Sequence, residues 1–327
     1  MKELNLGSLN ISPPLVLAPM VGLSHSALRT MLIELGGIGL LSTEMLGARK
    51  LPSGNPVHDP FLITSALERP LSYQMLVADP ADVPTAMAAL HRLGADAVDL
   101  NLGCPAPTIR RTGAGSKLAE DQGQVRRVVA AARQATRLPL SAKIRLGSEL
   151  NEERLRDFCL MLEGEGLDYL TVHARLHKEP FSRKPRWDWV GKVKGWLSIP
   201  VLANGGIFTV RDAGRCLEVS GADGLMIGRA APTRPWLFAE ISHALYGGAA
   251  PPAINRPALY RRFVELLTER FPPRRQLGRL KEFSHYFSKN YPFGHHLAMA
   301  IQNSRSVAQA GQLAEEFFAR HDHGDTS

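Results

Sequence analysis

Eight short apolar runs, separated by longer stretches of mixed polarity, are the most regular feature of this 327-residue chain. Within most runs the apolar residues are consecutive and do not alternate with polar ones. This pattern is typical of parallel strands that are buried on both faces. The predicted strands are Leu15–Met20, Leu40–Met45, Leu71–Leu76, Ala97–Leu102, Leu140–Leu146, Tyr169–Ala174, Pro200–Gly205 and Gly224–Gly228.

Amphipathic helices are predicted between most of these strands. Pro80–Leu93, Val125–Ala135 and Glu152–Leu162 repeat apolar residues at helical spacing, and a further helix follows Thr209. Asp79 precedes the first of them as a candidate N-cap. This alternation favours a (β/α)₈ barrel, the TIM barrel. The competing arrangement, a doubly wound open sheet, would normally show a GxGxxG fingerprint, which the sequence lacks.

The strand pattern stops at about residue 255, and only helical spacing continues. Apolar residues from Leu259 to Phe318 recur at intervals that predict about four helices. We therefore predict an α/β chain with a barrel over residues 1–246 and a Pro/Gly-rich linker over 247–254. A small all-α domain is expected over 255–320, followed by a flexible polar tail over 321–327.

Composition limits the cellular setting. Hydrophobic residues make up 44% and charged residues 21%, as in ordinary globular proteins. No apolar run approaches the roughly 20 residues that cross a bilayer, and the first residues do not resemble a secretory signal. The three cysteines fit neither a disulfide framework nor a zinc site. We expect a cytoplasmic protein with no metal and no membrane contact.

The chain is basic, and its positive charge is unevenly distributed. The net charge is +8, and residues 255–305 hold ten Lys and Arg against three acidic residues. Residues 175–194 hold seven Lys and Arg against two acidic residues. Either stretch alone is compatible with a solvated face, but the two together favour a polyanionic partner.

Polar groups follow most of the predicted strands, and the carboxyl ends of barrel strands are where such folds carry their chemistry. In chain order these groups are Pro19-Met20, Glu44, Gln74, Asn101 with Cys104, Lys143 with Arg145, His173 with Arg175, Asn204-Gly205-Gly206 and Gly228-Arg229. So many polar strand ends are hard to attribute to packing, so we expect a single site there.

Cys104 is the strongest candidate for chemistry. It lies in the run Asp99-Leu100-Asn101-Leu102-Gly103-Cys104-Pro105, just past the fourth predicted strand. A lone cysteine is more often a small buried hydrophobe, and Cys159 and Cys216 on apolar helix faces are interpreted in that way. The position of Cys104 favours a reactive thiol.

The last two strand ends predict a phosphate site, where many barrels hold one. Its donors would be the backbone amides of Gly205, Gly206, Gly228 and Arg229, with the Arg229 guanidinium. Two glycine turns can also be simple tight connections. The polar side chains expected opposite are Gln74, Lys143 and His173. This set suits a flat cofactor such as FMN, because an amine stabilises negative charge on a reduced flavin and an amide binds its pyrimidine edge.

Six segments, in order between about residues 14 and 240, carry a family resemblance. They are Ala18-Pro19-Met20, Val98–Pro105, Ala142–Gly147, Val172–Arg175, Ala203–Ile207 and Met226–Arg229. Together they resemble the motif set of the tRNA-dihydrouridine synthases, and Asn101-Leu102-Gly103-Cys104-Pro105 is the most diagnostic element. The basic helical appendage is also similar to that family's.

The resemblance implies an FMN-dependent barrel with a helical tRNA-binding domain. The implied reaction reduces the C5–C6 double bond of a specific uridine in tRNA to 5,6-dihydrouridine. Hydride would pass from flavin N5 to C6, Cys104 would protonate C5, and NADPH would recharge the flavin. The resemblance also implies contact with the D-loop region and a monomeric enzyme.

The resemblance assigns roles residue by residue. FMN would be held by Pro19, Met20, Gln74, Lys143, His173, Asn204, Gly205, Gly206, Gly228 and Arg229. The substrate would be held by Asn101, Arg145, Arg175, Arg274, Arg275 and Arg279. Several family members have an acidic residue at the position of Gly206, and this chain departs from that pattern.

Two other functions stay open from the residues alone. A flavin barrel that acts on a free small molecule, such as dihydroorotate or an enoate, needs no Arg-rich extension. A non-catalytic RNA-binding protein or chaperone would tolerate the loss of Cys104 and Lys143. A Walker motif is excluded because residues 113–117 read Gly-Ala-Gly-Ser-Lys, and this loop is interpreted as a lid or an RNA contact. The uridine position, the choice of NADPH or NADH and the oligomeric state also stay open.

Overall fold

The computed structural model describes residues 2–57 and 59–321. Its strands are β1 Leu4–Leu6, β2 Leu9–Ile11, β3 Leu15–Leu17, β4 Leu41–Gly47, β5 Leu71–Leu76, β6 Ala97–Asn101, β7 Leu140–Arg145, β8 Tyr169–His173, β9 Val201–Asn204 and β10 Gly224–Ile227. Strands β3 to β10 form one parallel sheet in the order β3-β10-β9-β8-β7-β6-β5-β4. A parallel bridge between Val16 and Leu40 closes this sheet into a ring. The predicted (β/α)₈ barrel is confirmed, and the open-sheet alternative is wrong.

Most strands end one to three residues before the predicted carboxyl end. β3, for example, ends at Leu17 and not at Met20, whereas β4 continues to Gly47. Residues such as Met20 and Gly205 have left the ladder and line the mouth of the barrel. The barrel mouth is therefore built from residues just past the strands.

Nine helices of the described chain surround the strands or follow them directly. They are α1 Ser26–Leu35, α2 Val83–Arg92, α3 Pro107–Arg110, α4 Gln122–Ala135, α5 Glu152–Gly164, α6 Trp187–Trp196, α7 Val210–Ser220, α8 Ala230–Thr233 and α9 Leu237–Tyr246. Asp79 caps the short 3₁₀ turn before α2 by accepting from the Ala81 N–H at 3.0 Å, as predicted. Cys159 and Cys216 are fully buried on α5 and α7, which confirms their interpretation as core residues.

Three aspartates tie the amino ends of neighbouring strands together. Asp96, Asp168 and Asp223 accept from the N–H groups of Leu71, Leu140 and Val201 at 2.7, 2.8 and 2.7 Å. Each carboxylate thus satisfies the first N–H of the adjacent strand, which would otherwise lack a partner at the sheet edge.

An amino-terminal hairpin covers the end of the barrel opposite the candidate site. β1 and β2 pair antiparallel, and Gly7 turns the chain between them with φ +68°. Leu6 and Ile11 pack against interior barrel residues such as Tyr169. No element was predicted here, because strands of three residues are too short to show a period.

Four helices follow residues 247–254, the part of the chain predicted as a separate helical domain. They are α10 Arg256–Arg270, α11 Pro273–Phe287, α12 Gly294–Asn303 and α13 Val307–His321. Their core is aromatic, with the rings of Phe263 and Phe283 stacked 3.7 Å apart. An ion pair of 2.7 Å between Arg262 and Glu34 joins α10 to α1. The tail predicted as flexible lies, from residue 322 onward, outside the described residues.

No helix in the described part of the chain combines the length and the apolarity that a membrane span requires.

Candidate active site

A cleft with an empty volume of about 1180 Å³, its open mouth included, lies at the carboxyl ends of the barrel strands. Glu44, Arg274, Arg275 and Arg279 do not line it, and all the other predicted site residues do. One wall comes from the helical domain, where Glu282 and Tyr286 project from α11. The site is therefore shared by the barrel and the appended helices.

Cys104 is held at the rim by backbone contacts on both sides of the thiol. The Cys104 N–H donates to the Asn101 side-chain oxygen at 3.0 Å, and the Cys104 carbonyl accepts from the Ser116 N–H at 3.0 Å. Gly115 has φ +63°, and a Cβ there would lie 2.7 Å from the Cys104 carbonyl oxygen. The loop predicted as a lid or an RNA contact thus packs directly on the cysteine.

Two ion pairs connect residues within and on either side of that loop. Glu120 pairs with Arg110 at 2.7 Å and with Lys117 at 2.9 Å. The hydrogen bond from Arg110 is the main reason that the pKa of Glu120 falls to about 2, with Lys117 adding to it. The Glu120 carboxylate is therefore ionised throughout the neutral range.

Lys143 lies beside Asn101 on the neighbouring strand, with its half-buried side chain lining the cleft. Burial is the main cause that lowers the pKa of Lys143 to about 8, and the charge of Arg145 adds to the effect. The negative charge of Asp99 acts in the opposite direction, and so does Cys104 in its thiolate form. Lys143 is thus a cation at neutral pH that is close to losing its proton.

Arg145 and Arg175, predicted to bind substrate, line the cleft and donate to the backbone of the loop after β8. Arg145 Nη1 donates to the Leu176 carbonyl at 2.8 Å, and Arg175 Nε donates to the Arg183 carbonyl at 2.7 Å. Both arginines are almost fully buried. Their guanidinium groups therefore shape the loop over residues 176–186, and they reach the cleft only along its wall.

That loop brings an aromatic ring into the cleft. Phe181 is 53% exposed, and the Arg229 guanidinium carbon lies 4.4 Å from its ring centre. The imidazole of His173 is nearly parallel to the same ring, with an interplanar angle of 19° and ring centroids 6.0 Å apart. Phe181 was missed as a site residue, since a single phenylalanine in a basic stretch gives no motif.

The glycines after β9 form a cradle that no other residue could form. Gly205 has φ +104°, and a Cβ there would lie 2.6 Å from the His173 ring. Gly206 has φ +77°, and a Cβ there would lie 2.6 Å from Pro185. Within the described chain, the N–H groups of Gly205, Gly206 and Gly228 have no acceptor. Unpaired N–H groups at adjacent strand ends are donors suited to an anion.

Glu282 and Tyr286 also line the cleft, and the sequence did not indicate them. A Cβ on Gly22 would lie 3.8 Å from the Glu282 side chain, so α11 closely approaches the loop after β3. Burial raises the pKa of Tyr286, and the charge of Glu282 adds to the rise while Arg229 opposes it. No sequence period could reveal this wall, because it depends on how two separate parts of the chain dock.

The three arginines predicted on the helical domain fall into two groups. Arg274 and Arg275 are exposed at the start of α11, and neither side chain has an acidic partner among the described residues. Arg279 is half-buried, with its guanidinium carbon 4.4 Å from the Phe271 ring centre. Arg274 and Arg275 are therefore free to meet an anion, whereas Arg279 packs at the domain junction.

Residues 2–57 and 59–321 contain no group of three His, Cys, Asp or Glu side chains that could hold a metal ion.

The chain matches a known family over nearly its whole length. The family model described as "Dihydrouridine synthase (Dus)" matches residues 16–327. A Mycobacterium tuberculosis (strain ATCC 25618 / H37Rv) protein named "Probable tRNA-dihydrouridine synthase" is 32% identical over 312 residues, covering 91% of this chain and 80% of that protein. A Pseudomonas putida protein named "tRNA-dihydrouridine(16) synthase" is 34% identical over 309 residues, covering 91% of this chain and 95% of that protein.

Two solved structures share the barrel. A 2-naphthoyl-CoA reductase in complex with 2-naphthoyl-CoA has a TM-score of 0.57 at 12% identity and covers 74% of this chain and 52% of its own. Histamine dehydrogenase from Rhizobium sp. 4-9 has a TM-score of 0.57 at 13% identity, and the match covers 81% of this chain and 50% of that protein. This chain spans about half the length of each, and at such identities the likeness shows the fold alone.

Proposed function

Because this chain belongs to the dihydrouridine synthase family, we propose that it reduces a specific uridine of tRNA to 5,6-dihydrouridine, with FMN as cofactor and NADPH as reductant. The observation that carries the proposal is the composition of one cleft. An accessible thiol, a cationic amine and a glycine cradle with unpaired N–H groups meet there, beside a helix that bears exposed arginines. Contact with the D-loop region and action as a monomer belong to the same proposal.

The residues of the cleft fit FMN. The unpaired N–H groups of Gly205, Gly206 and Gly228 and the Arg229 guanidinium would hold its phosphate, since they offer donors and positive charge together. Lys143 and Gln74 would hold the polar edge of its ring system, and Met20 would pack on its face. FMN bound in this cleft would supply the hydride that the reaction adds to C6 of the uracil.

Cys104 would supply the proton. When hydride adds to C6, the electron pair of the C5–C6 double bond becomes available at C5, and the S–H proton of Cys104 forms the new C5–H bond. The thiolate that remains is stabilised by nearby positive charge, because Lys143 and Arg145 both interact electrostatically with this cysteine.

The uridine must leave the stacked RNA to enter the cleft, at a cost of a few kcal/mol. Contacts between phosphates and exposed cations can offset that cost. Arg274 and Arg275 are suited to this because they are exposed and have no partner among the described residues. They lie on α11, which also carries the cleft residues Glu282 and Tyr286. One helix would therefore contact the RNA phosphates at its start and line the cleft further along.

Purified protein reconstituted with FMN, and supplied with NADPH and an unmodified tRNA transcript, tests the proposal. We expect dihydrouridine at one position of the transcript, detected by mass spectrometry of nuclease fragments, and no reduction of free uracil or orotate. A protein that binds no flavin, or one that reduces orotate but not tRNA, would contradict the proposal.

A further inference from the structure

Three neighbouring strands place polar side chains in one row inside the barrel, and this row reaches the cleft at Gln74. Gln74 on β5, Asp99 on β6 and Ser141 on β7 are partners in the strand register. Asp99 and Asn101 share a face of β6, because side chains alternate along a strand. Barrel interiors are usually filled with branched apolar side chains, whereas Asp99 is a carboxylate that is only 4% exposed. A carboxylate so deeply buried is costly unless its hydrogen bonds are made.

Both oxygens of Asp99 accept hydrogen bonds, and one of them begins a chain of bonds to the cysteine. Ser141 Oγ donates to Oδ1 of Asp99 at 2.6 Å, and Gln74 Nε2 donates to Oδ2 at 2.6 Å. Gln74 Oε1 then accepts from Asn101 Nδ2 at 2.8 Å. Asn101 Oδ1 accepts from the N–H of Cys104 at 3.0 Å. A continuous ladder therefore runs from the buried carboxylate to the Cys104 backbone.

Only one orientation of the Gln74 and Asn101 side-chain amides allows every hydrogen bond of the ladder to form. A carboxylate accepts and does not donate, so the nitrogen of Gln74 must face Asp99 and its oxygen must face Asn101. At the other end a backbone N–H only donates, so the oxygen of Asn101 must face Cys104. Turning either amide over would place oxygen against oxygen or N–H against N–H. Both ends thus demand the same orientation of the two amides.

We propose that Asp99 is a positioning residue for proton donation by Cys104, a role that rests on the proposed function. It acts through the amides of Gln74 and Asn101, which hold the backbone of the Cys104 loop. Without the carboxylate, the Gln74 N–H is left buried with no acceptor, so the ladder shifts to relieve it. A displacement of about 1 Å at a reacting group lowers a rate by as much as about 100-fold.

Three variants separate this role from simple packing. Asp99→Ala removes the acceptor, whereas Asp99→Asn keeps one oxygen for Gln74 and can donate to Ser141, whose hydroxyl also accepts. Ser141→Ala is the matched control, because it removes the other bond to Asp99 and leaves the ladder intact. The assay is run about two pH units below the pKa of Lys143, so that Lys143 stays charged even without Asp99. We expect Asp99→Ala to slow the tRNA-dependent oxidation of reduced flavin about 10- to 100-fold there, with flavin reduction by NADPH unchanged. Asp99→Asn should behave like the parent protein. Ser141→Ala should lower the melting temperature, because it leaves Oδ1 of Asp99 without its donor, but should keep the parent's rates in both half-reactions.

Alkylation by iodoacetamide, followed without tRNA or turnover, gives a second readout. Cys104 is partly exposed, while Cys159 and Cys216 are fully buried, so the reagent reports on Cys104 in the native protein. We expect Asp99→Ala to change the alkylation rate and Asp99→Asn to restore it. If Asp99→Ala does not fold, Gln74→Met can be used, because it interrupts the ladder between Asp99 and Asn101. It should change the alkylation rate of Cys104 in the same direction.

The outcomes distinguish this inference from the proposed function. If the parent protein makes no dihydrouridine, the proposed function fails, and alkylation still tests the ladder. If the parent is active and Asp99→Ala matches it in flavin oxidation and in alkylation, the positioning role is overturned. Equal losses in both half-reactions that follow a lower melting temperature would also overturn it, because they indicate packing alone.

Discussion

Nη1 of Arg175 lies 3.0 Å from Nε2 of His173. A guanidinium can only donate, so the imidazole accepts at Nε2 and is neutral. Burial is the main cause that lowers the pKa of His173 well below its usual value, and Lys143, Arg145, Arg175 and Arg229 add to the effect. His173 therefore does not change charge near neutral pH. Lys143, whose pKa is lowered to about 8, does change charge in the accessible range.

The rate of flavin reduction should consequently fall as the pH rises above about 8. Lys143 is a cation below its pKa and neutral above it, so its stabilisation of negative charge disappears on the alkaline side. An anion bound beside Lys143 raises the pKa of its amine, so the inflection in the rate of flavin reduction then lies above about pH 8. Lys143→Met should be about 100-fold slower and should lack this inflection, while Lys143→Arg should keep the rate to higher pH. Stopped-flow absorbance across the pH range measures all three, and an inflection that persists in Lys143→Met would contradict the assignment.

Cys104→Ala should bind flavin normally and lose about 100- to 10,000-fold in dihydrouridine formation. The thiol is the proton donor in the proposed reaction, and Cys104 is not among the groups proposed to hold FMN. Cys216→Ala is the control, because that thiol is fully buried on α7. Flavin absorbance and mass spectrometry of the tRNA give the two readouts. Undiminished turnover by Cys104→Ala would rule out the assigned acid.

Arg274→Gln combined with Arg275→Gln should weaken tRNA binding and reduce its dependence on salt. Each exposed guanidinium that contacts a phosphate releases about one counterion, so the slope of log affinity against log salt should decrease by about 2. The matched control is Arg261→Gln with Glu315→Gln, which removes an ion pair of 2.7 Å from the same domain without changing its net charge. Filter binding at several salt concentrations measures the slopes. Equal slopes for the parent and the Arg274/Arg275 variant would exclude these residues from the RNA contact.

Gly205→Ala should lower FMN affinity at least about tenfold, a loss of about 1.4 kcal/mol. Its φ of +104° disfavours any side chain, and the new Cβ would lie 2.6 Å from the His173 ring. Gly221→Ala is the control, since Gly221 also has positive φ, at +58°, but has open space around it and lies away from the cleft. That control should lose stability and keep its flavin affinity, as measured by fluorescence titration. Normal FMN binding by Gly205→Ala would contradict the cradle.

The sequence was sufficient for the barrel because its strands are buried on both faces and therefore read as unbroken apolar runs. It also indicated most of the cleft, since the carboxyl ends of parallel strands must meet at one mouth. The hairpin β1–β2 escaped because its strands are too short to show a period. Phe181, Glu282 and Tyr286 escaped for a different reason. Their place depends on how a loop and a helix dock on the barrel, which no local pattern encodes.

For the charged residues too, the sequence indicated where they lie along the chain but not what their side chains contact. The sequence indicated that Arg145 and Arg175 lie at strand ends, and the structure places both at the cleft. It could not indicate that their donors are directed to the carbonyls of residues 176–183. The burial of Asp99 was visible as part of an apolar run, but its bond to Gln74 requires the register of two strands.

Arg279 should contribute to stability and not to the salt dependence of tRNA binding. Its guanidinium lies over Phe271 and donates to the Arg275 carbonyl at 3.0 Å, and it interacts electrostatically with Glu44 of the barrel. We expect Arg279→Ala to lower the free energy of unfolding by about 1–2 kcal/mol, from the loss of packing and of the cation–π contact. The salt slope of tRNA binding should match that of the parent, because a guanidinium engaged at the domain junction does not neutralise a phosphate. Chemical denaturation and filter binding of the same preparation measure both quantities. A slope reduced by about 1 with unchanged stability would instead return Arg279 to the RNA-binding surface.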